Sequence, residues 1–385
     1  MVRQVTLFDT TLRDGEQAPM NAMSVDTKVM LFKQIAATGI DRIEAGFPAA
    51  SQSDYEAASL ILQEETGAAV SLFARATRRD IECCLELAGN RRDLEIQILV
   101  TGSEVHLKHK RMISLQQALD ETQDAVSFAA AHDVQISVAV EDASRGSHSM
   151  LEQVIKTGID AGATAIVVTD TVGSAMPTQF GAMVAASREW VGPNNKLSVH
   201  CHNDLGLAVA NSIAGIAAGA DECQGTLCGI GERAGNAALE EIVAILLTKQ
   251  EQLEVACNVD PIALRKACTL VSEAIDFPLP RNKPILGRWV NATAAGLHQN
   301  GMLKHPSTYE PFDPALFGRE REFLITRHSG SAAIRDMVKR HLNDTFGDVD
   351  PDYVLAKMGL EGKSFSTSQG DEFRSFVAGC QAGAK

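Results

Sequence analysis

The chain has 385 residues, 45% of them hydrophobic and 22% charged, with a formal net charge of −14 and a pI near 5.2. This is the composition of a folded globular protein, long enough for one domain of about 250 residues and a smaller companion. It makes nucleic acid or an anionic membrane surface a poor partner, and no stretch approaches the roughly 20 uninterrupted apolar residues of a membrane helix. Eight scattered cysteines form no CxxC pair, so free thiols in a reducing cytoplasm are expected. The opening "MVRQVTLFDTTLRDG" runs into a strand with no cleavable apolar leader.

Short β-branched, apolar runs recur along the chain with helical stretches between them. Strands are predicted at 4–9, 42–46, 69–74, 94–100, 134–140, 164–169, 196–201 and 221–226. Between the first two, "SVDTKVMLFKQIAATG" reads as an amphipathic helix that stops on Gly39. Eight strand–helix units in this length predict an α/β fold, a (β/α)₈ TIM barrel, over 1–275, with a doubly wound open sheet as the alternative. "NAALEEIVAILLTKQEQ" would be the last barrel helix, and Pro261 opens another. The segment 276–320 is rich in Pro and Gly ("FPLPRNKPILG", "HPSTYEPFDP") and reads as an extended linker or small subdomain. Short helices are expected over 321–385, a compact C-terminal subdomain.

Polar clusters collect where the strands end. "DTTLRDGEQ" follows strand 1, "EAGFP" strand 2, "TGSEVH" strand 4, "EDASR" strand 5, "DTVG" strand 6, "HCHND" strand 7 and "CGIGERAGN" strand 8. A barrel brings those ends to one face, where an active site sits. In a strand, His200 and His202 share a face. With Asp14 they offer two N ligands and one O ligand to a divalent ion, and Asn236 could add a carbonyl oxygen. Asp204 is expected either to orient a ligand histidine or to cap the next helix. In "GIGERAGN" the glycines miss the GxGxxG spacing, which leaves no support for a nicotinamide cofactor. The loop serves either as a backbone anion site or as a tight turn that needs Gly.

These motifs, in this order, resemble the 2-isopropylmalate/homocitrate/citramalate synthase family of metal-dependent barrel enzymes. The signature L-R-[D/E]-G-x-Q, a ten-residue gap and Lys is met by Leu12 to Gln17 with Lys28, and H-x-H-[N/D]-D-x-G by "HCHNDLG". "GERAGNAALEE" and "GLHQNGMLKHPSTYEPFDP" resemble the family's strand 8 loop and subdomain. The resemblance implies a Claisen-type condensation of acetyl-CoA with a 2-oxo acid, giving a 2-substituted malate and free CoA. It implies a divalent metal (Zn, Mn, Mg or Co) on Asp14, His200, His202 and Asn236, and Arg13 at the keto oxygen. It further implies Glu141 and His298, with Tyr309 assisting, as the acid–base groups, and Thr171 at the substrate carboxylate. Glu44 lines the same pocket or supports it. The histidine that His298 resembles faces a partner's barrel, so a homodimer with a shared active site is implied. Running the reverse cleavage, a lyase of the hydroxymethylglutaryl-CoA type is the alternative, and the extra segment holding "HQNG" speaks for the synthase.

The acceptor is where the pattern departs. "IEAGFPAAS" looks like an isopropylmalate synthase, but Gln97 stands where that branch commonly has His, and Ser174 where Tyr is usual. Ser137 stands where lysine-pathway homocitrate synthases place an Arg. A polar pocket around Gln97 and Ser174 suggests a small or acidic 2-oxo acid. About 110 residues follow the helix ending "VSEAID", too few for the subdomains plus a feedback-regulatory domain. Insensitivity to micromolar leucine is therefore expected.

Overall fold

The computed structural model describes residues 2–89, 91, 93–342 and 350–382. The chain divides into two compact units, Met1–Leu279 and Pro280–Lys385.

The first unit is a closed barrel of eight parallel strands in chain order. They are β1 (Thr6–Asp9), β2 (Arg42–Glu44), β3 (Ala69–Arg75), β4 (Glu95–Thr101), β5 (Gln135–Glu141), β6 (Ala165–Asp170), β7 (Lys196–Cys201) and β8 (Glu222–Gly225). Closure pairs Thr6 with Glu222 and Asp9 with Gly225. The helices that follow the strands are α1 (Val25–Ala36), α2 (Gln52–Ile61), α3 (Arg78–Ala88), α4 (Leu115–Ala130), α5 (His148–Asp160), α6 (Pro177–Val191), α7 (Ala208–Ala217) and α8 (Leu239–Thr248). After them, α9 (Pro261–Ala274) packs on α1 and α8. Local chemistry sets the helix starts. Ser24, Ser51, Thr77, Ser114 and Ser147 each accept a first-turn N–H at the N-cap, and Gln117 reciprocates in a capping box. Strands covered on both faces read as continuous apolar runs, and every residue of β6 is buried.

The barrel axis is filled by two polar layers of different character. The lower one is ionic: Arg42 lies 3.1 Å from Glu95 and 3.7 Å from Glu222, and Ser71 and Ser137 donate to Glu95 at 3.1 and 3.0 Å. Burial, and then Glu95, push Glu222 up, with Arg42 opposing. Ser137 thus belongs to this floor. The upper layer is the site described below. All eight cysteines are free thiols. Among the described residues, no helix is long and apolar enough to cross a membrane.

The second unit has its own core of Met302, Phe323, Ile325, Ile334, Met337, Val354, Met358, Phe373 and Val377. Its three-stranded sheet pairs β9 (Ala292–Thr293) parallel with β10 (Glu322–Ile325), and β10 antiparallel with β11 (Phe365–Ser366). Among the described residues four helices complete it: α10 (Gly296–Lys304), α11 (Ser331–His341), α12 (Pro351–Glu361) and α13 (Gly370–Ala382). Segment 276–320 therefore carries β9, α10 and two short turns, and its Met302 shares a core with residues of 321–385. Residues 343–349 and 383–385 of the expected C-terminal subdomain lie outside the described residues.

Candidate active site

β1 hands the chain to a tight knot. The Thr10 carbonyl accepts from the N–H groups of Arg13, Asp14 and Gly15, and a 3₁₀ turn follows over Gly15–Gln17. Arg13 and Asp14 are thereby presented side by side at the barrel mouth. Lys28 on α1, only 2% exposed, pairs with Glu16 of this loop and with Asp54 of α2 at 2.7 Å. The lysine of the first signature is thus a clamp that ties the loop to two helices.

At the end of β7, His200 and His202 point to the same side, as strand alternation requires. Candidate ligand atoms of Asp14, His200 and His202, all buried, lie within 4.8 Å of one another. Asp14 Oδ2 is 3.2 Å from His200 Nε2 and 3.7 Å from His202 Nε2, and the two Nε2 atoms are 3.3 Å apart. Burial works against ionisation of Asp14, but Arg13 and the two histidines outweigh it and hold the carboxyl well below the usual carboxylate range. Burial, and then His200, push His202 down to about 4, so its imidazole is neutral at pH 7.

Asn236 arrives on the loop after β8, bridged to His202 through the backbone. Its Nδ2 donates to the Ile230 carbonyl at 3.1 Å, while its buried Oδ1 has no partner among the described residues. A Cβ at Gly231 (φ +143°) would stand 2.2 Å from Asn236 Nδ2 and 3.4 Å from Asp14 Oδ1. Glycine there lets the amide and the carboxylate approach. Two imidazoles, one ionised carboxylate and an unclaimed amide oxygen form a donor set suited to a divalent cation.

Arg13 completes the mouth. Its Nε donates to Glu44 Oε2 at 2.6 Å, Nη1 lies 3.3 Å from Asp14 Oδ2, and the guanidinium sits 4.4 Å from the Phe73 ring centroid. Burial would lower its pKa, but Glu44 and Asp14 more than compensate and keep it charged. Glu44 is pushed up by burial and drawn back by Arg13. At the end of β5, Glu141 accepts from Lys110 Nζ at 2.7 Å on both oxygens, with His106 Nδ1 at 3.4 Å. Asp142, at φ +63°, donates its N–H to Thr171 Oγ1 at 2.8 Å and receives Arg145 on its carboxylate. The "EDASR" stretch thus holds the neighbours of Glu141 in place.

A cavity of about 300 Å³ is lined by Arg13, Asp14, Gln97, Glu141, Thr171, His200 and His202. Glu44 lies beneath it, 0% exposed, in contact with Arg13 and Gln97. The barrel unit therefore brings together Arg13, Asp14, Glu44, Gln97, Glu141, Thr171, His200, His202 and Asn236. His298 and Tyr309 belong to the second unit, stacked on each other with ring centroids 4.0 Å apart. There they line a separate cavity of about 560 Å³ with Met302, Phe312 and Phe317.

Several expectations need correction. The cavity keeps Gln97 in its lining but not Ser174, whose N–H donates to Asp170 Oδ1 at 3.2 Å. The amide ends of Gln97 are taken by Glu44 and Gln224, and Phe47, Phe73, Leu99 and Ala139 supply an apolar wall. Asp204 neither orients a histidine nor caps α7. It pairs with Arg233 at 2.7 Å, and Asn203 Oδ1 accepts the Ala208 N–H. The Gly-rich loop is a tight turn whose N–H groups at Gly229, Gly235, Asn236 and Ala237 are spent on backbone carbonyls.

Sequence reasoning missed Lys110, which pairs with Glu141, and Gln224, Arg75 and Arg233, which line the cavity. Gln224 was within reach, since Glu222, Gln224 and Thr226 alternate along β8 and mark a polar face turned inward. Lys110 was not, because it meets Glu141 through a five-residue π-turn (Leu107–Arg111) that leaves no periodic trace.

The HMGL-like family model matches residues 4–271, and the model described as homocitrate synthase post-HMGL domain-like matches 285–356. A protein of Ignicoccus hospitalis named "Probable 2-isopropylmalate synthase" is 40% identical over 92% of this chain and 86% of its own length. The 2-isopropylmalate synthase of Pelotomaculum thermopropionicum is 40% identical over 87% of this chain and 67% of its own. Among solved structures, the hydroxymethylglutaryl-CoA lyase of Pseudomonas aeruginosa shares the fold with a TM-score of 0.61 at 20% identity, over 72% of this chain and 94% of that one. The chain belongs to the HMGL-like family and, within it, to the 2-isopropylmalate/homocitrate/citramalate synthases.

Proposed function

We propose that the protein condenses acetyl-CoA with an aliphatic 2-oxo acid, 2-oxoisovalerate foremost, releasing a 2-substituted malate and CoA. The observation that carries this reading is the Asp14/His200/His202 cluster set between a charged, buried Arg13 and an apolar wall of Phe47, Phe73, Leu99 and Ala139. The names of the relatives support the same acceptor.

A divalent metal (Zn, Mn, Mg or Co) held by Asp14, His200, His202 and Asn236 would supply Lewis-acid polarisation of the acceptor's keto group. Arg13 adds fixed positive charge where the ketone oxygen becomes an alkoxide, and its bonds to Glu44 and Asp14 keep it aimed without reorganisation. Thr171 Oγ1 binds the acceptor carboxylate. One proton leaves the acetyl-CoA methyl group to a base drawn from Glu141 and His298, with Tyr309 assisting. The methyl carbon then forms a bond to the ketone carbon, the alkoxide takes up a proton, and water cleaves the thioester to a carboxylate and the CoA thiol. Lys110 holds Glu141 at the mouth until substrate displaces it.

His298 and Tyr309 stand in a unit of their own, and their match to the family motif supports a homodimer in which each second unit serves the partner's barrel. Eight free thiols support a cytoplasmic setting.

The test is CoA release from acetyl-CoA by metal-replete protein offered 2-oxoisovalerate, pyruvate, 2-oxoglutarate, oxaloacetate or phosphonopyruvate, with Arg13→Ala as control. Release with 2-oxoisovalerate, falling about 10²–10³-fold in the control, is expected. A preference for a dicarboxylic acid would overturn the assigned acceptor, and no release with any acid would overturn the condensation.

A further inference from the structure

A chain of hydrogen bonds runs beneath the cavity. His200 Nδ1 is 3.2 Å from Gln224 Oε1, Gln224 Nε2 donates to Gln97 Oε1 at 2.6 Å, and Gln97 Nε2 donates to Glu44 Oε1 at 3.1 Å. Arg13 Nε donates to Glu44 Oε2 at 2.6 Å. Asp14 Oδ2 lies 3.3 Å from Arg13 Nη1 and 3.2 Å from His200 Nε2. Glu44, Gln97 and Gln224 are at most 1% exposed, so water takes little part.

The direction of these bonds has one solution. Glu44, paired with Arg13, is a carboxylate and only accepts. Gln97 must then turn its NH₂ to Glu44 and its carbonyl to Gln224. Gln224 must in turn offer its NH₂ to Gln97 and its carbonyl to His200. Facing a carbonyl, His200 Nδ1 carries the proton, and Nε2 keeps its lone pair toward Asp14 and His202. Asp14 alone would favour the reverse, since its carboxylate 3.2 Å from Nε2 draws a proton there. His202 has no such support, as its buried Nδ1 lacks a partner among the described residues.

We propose that Glu44, Gln97 and Gln224 form a polarised relay that holds His200 in the Nδ1-protonated tautomer and so presents Nε2 as a prepared metal ligand. All three are positioning residues, and Gln224 makes the bond that matters. The consequence for metal affinity rests on the proposed metal site, whereas the tautomer itself does not.

The test separates the two. In metal-free, ¹⁵N-histidine-labelled protein, a slowly exchanging His200 Nδ1–H signal is expected. It should disappear in Gln224→Leu and also in Gln97→Leu, which touches neither His200 nor the ligand cluster but frees Gln224 to turn over. Gln224→Glu, still an acceptor, should keep it. Zn²⁺ affinity, measured by chelator competition, should fall about 10- to 100-fold in Gln224→Leu and recover in Gln224→Glu. A signal absent from the wild type, or unchanged in Gln97→Leu, would overturn the relay. Wild-type protein with the signal but no Zn²⁺ binding would instead overturn the metal reading and leave the tautomer standing. Far-UV circular dichroism and the melting temperature confirm that each variant is folded.

Discussion

Asp9 and Asp14 stand five residues apart, both buried, and titrate in opposite directions. Asp14 has a guanidinium and two imidazoles beside it. Asp9 accepts from the Thr11 hydroxyl and N–H, at 2.7 and 3.0 Å, and burial, with Glu44 and Glu240 adding to it, pushes it up to about 7. Between its ordinary value of 3.8 and about 7, the folded chain holds a proton that the unfolded chain has lost. Asp9 therefore makes stability fall as pH rises through that window, by at most about 1.4 kcal/mol per unit. Asp9→Asn should match the wild type near pH 4, gain on it steadily to about pH 7 and keep a constant advantage above. Parallel stability curves from urea unfolding across this range would rule the account out. Such contrasts were only partly legible in the sequence. His200 and His202 announced themselves by alternation, and Asp14 by its place after a strand. Gln97 and Ser174 misled because side-chain type says nothing of where polar atoms are already spent. Gln224 belongs to no motif, and its role appears only once Gln97 lies across from it.

Glycines of the strand 8 loop show what an element demands beyond its residue types. Gly235 sits at φ +85°, and a Cβ there would lie 1.9 Å from the Gly229 carbonyl oxygen. Gly192 after α6 has φ +72° with nothing within 4 Å. With ψ at 172°, Gly192→Ala should cost only the backbone strain of a conformation that favours glycine, about 1–3 kcal/mol. Gly235→Ala should cost more than about 3 kcal/mol and also weaken metal binding, because Asn236 rides on the same turn. Equal losses in the two variants by denaturant titration would contradict this. The eight strand positions were readable to within a few residues, since strands buried on both faces leave dense apolar runs. β9 was not. Two residues pair with a strand about thirty positions later, and no local pattern encodes a pairing that long-range packing enforces.

For the whole molecule, two separate cores predict two cooperative transitions. Thermal unfolding should resolve a barrel step and a second-unit step. Added Zn²⁺ or Mn²⁺ should raise only the barrel step, by about 2.7 kcal/mol at a hundredfold excess over Kd. A metal-induced rise in both steps together would mean that the units unfold as one. The barrel was legible at this scale because its repeating strand–helix unit imposes a period on the chain, whereas the second unit has no period to read.

The barrel mouth is divided by arc. β1, β7 and β8 carry Arg13, the cluster and Gln224, while β2 through β5 and their loops carry Phe47, Phe73, Leu99 and Ala139. The Asp14/His200/His202 cluster and the apolar wall are thus written on different stretches of the gene, while Glu44, Gln97 and the proposed base Glu141 share the strands of the apolar arc. A lineage could recast the apolar side chains for another acid and inherit the reaction intact, provided Glu44 still held Arg13, the side chain at 97 still met its partner across the axis and Glu141 was kept. Those three positions are where drift in selectivity would reach the chemistry.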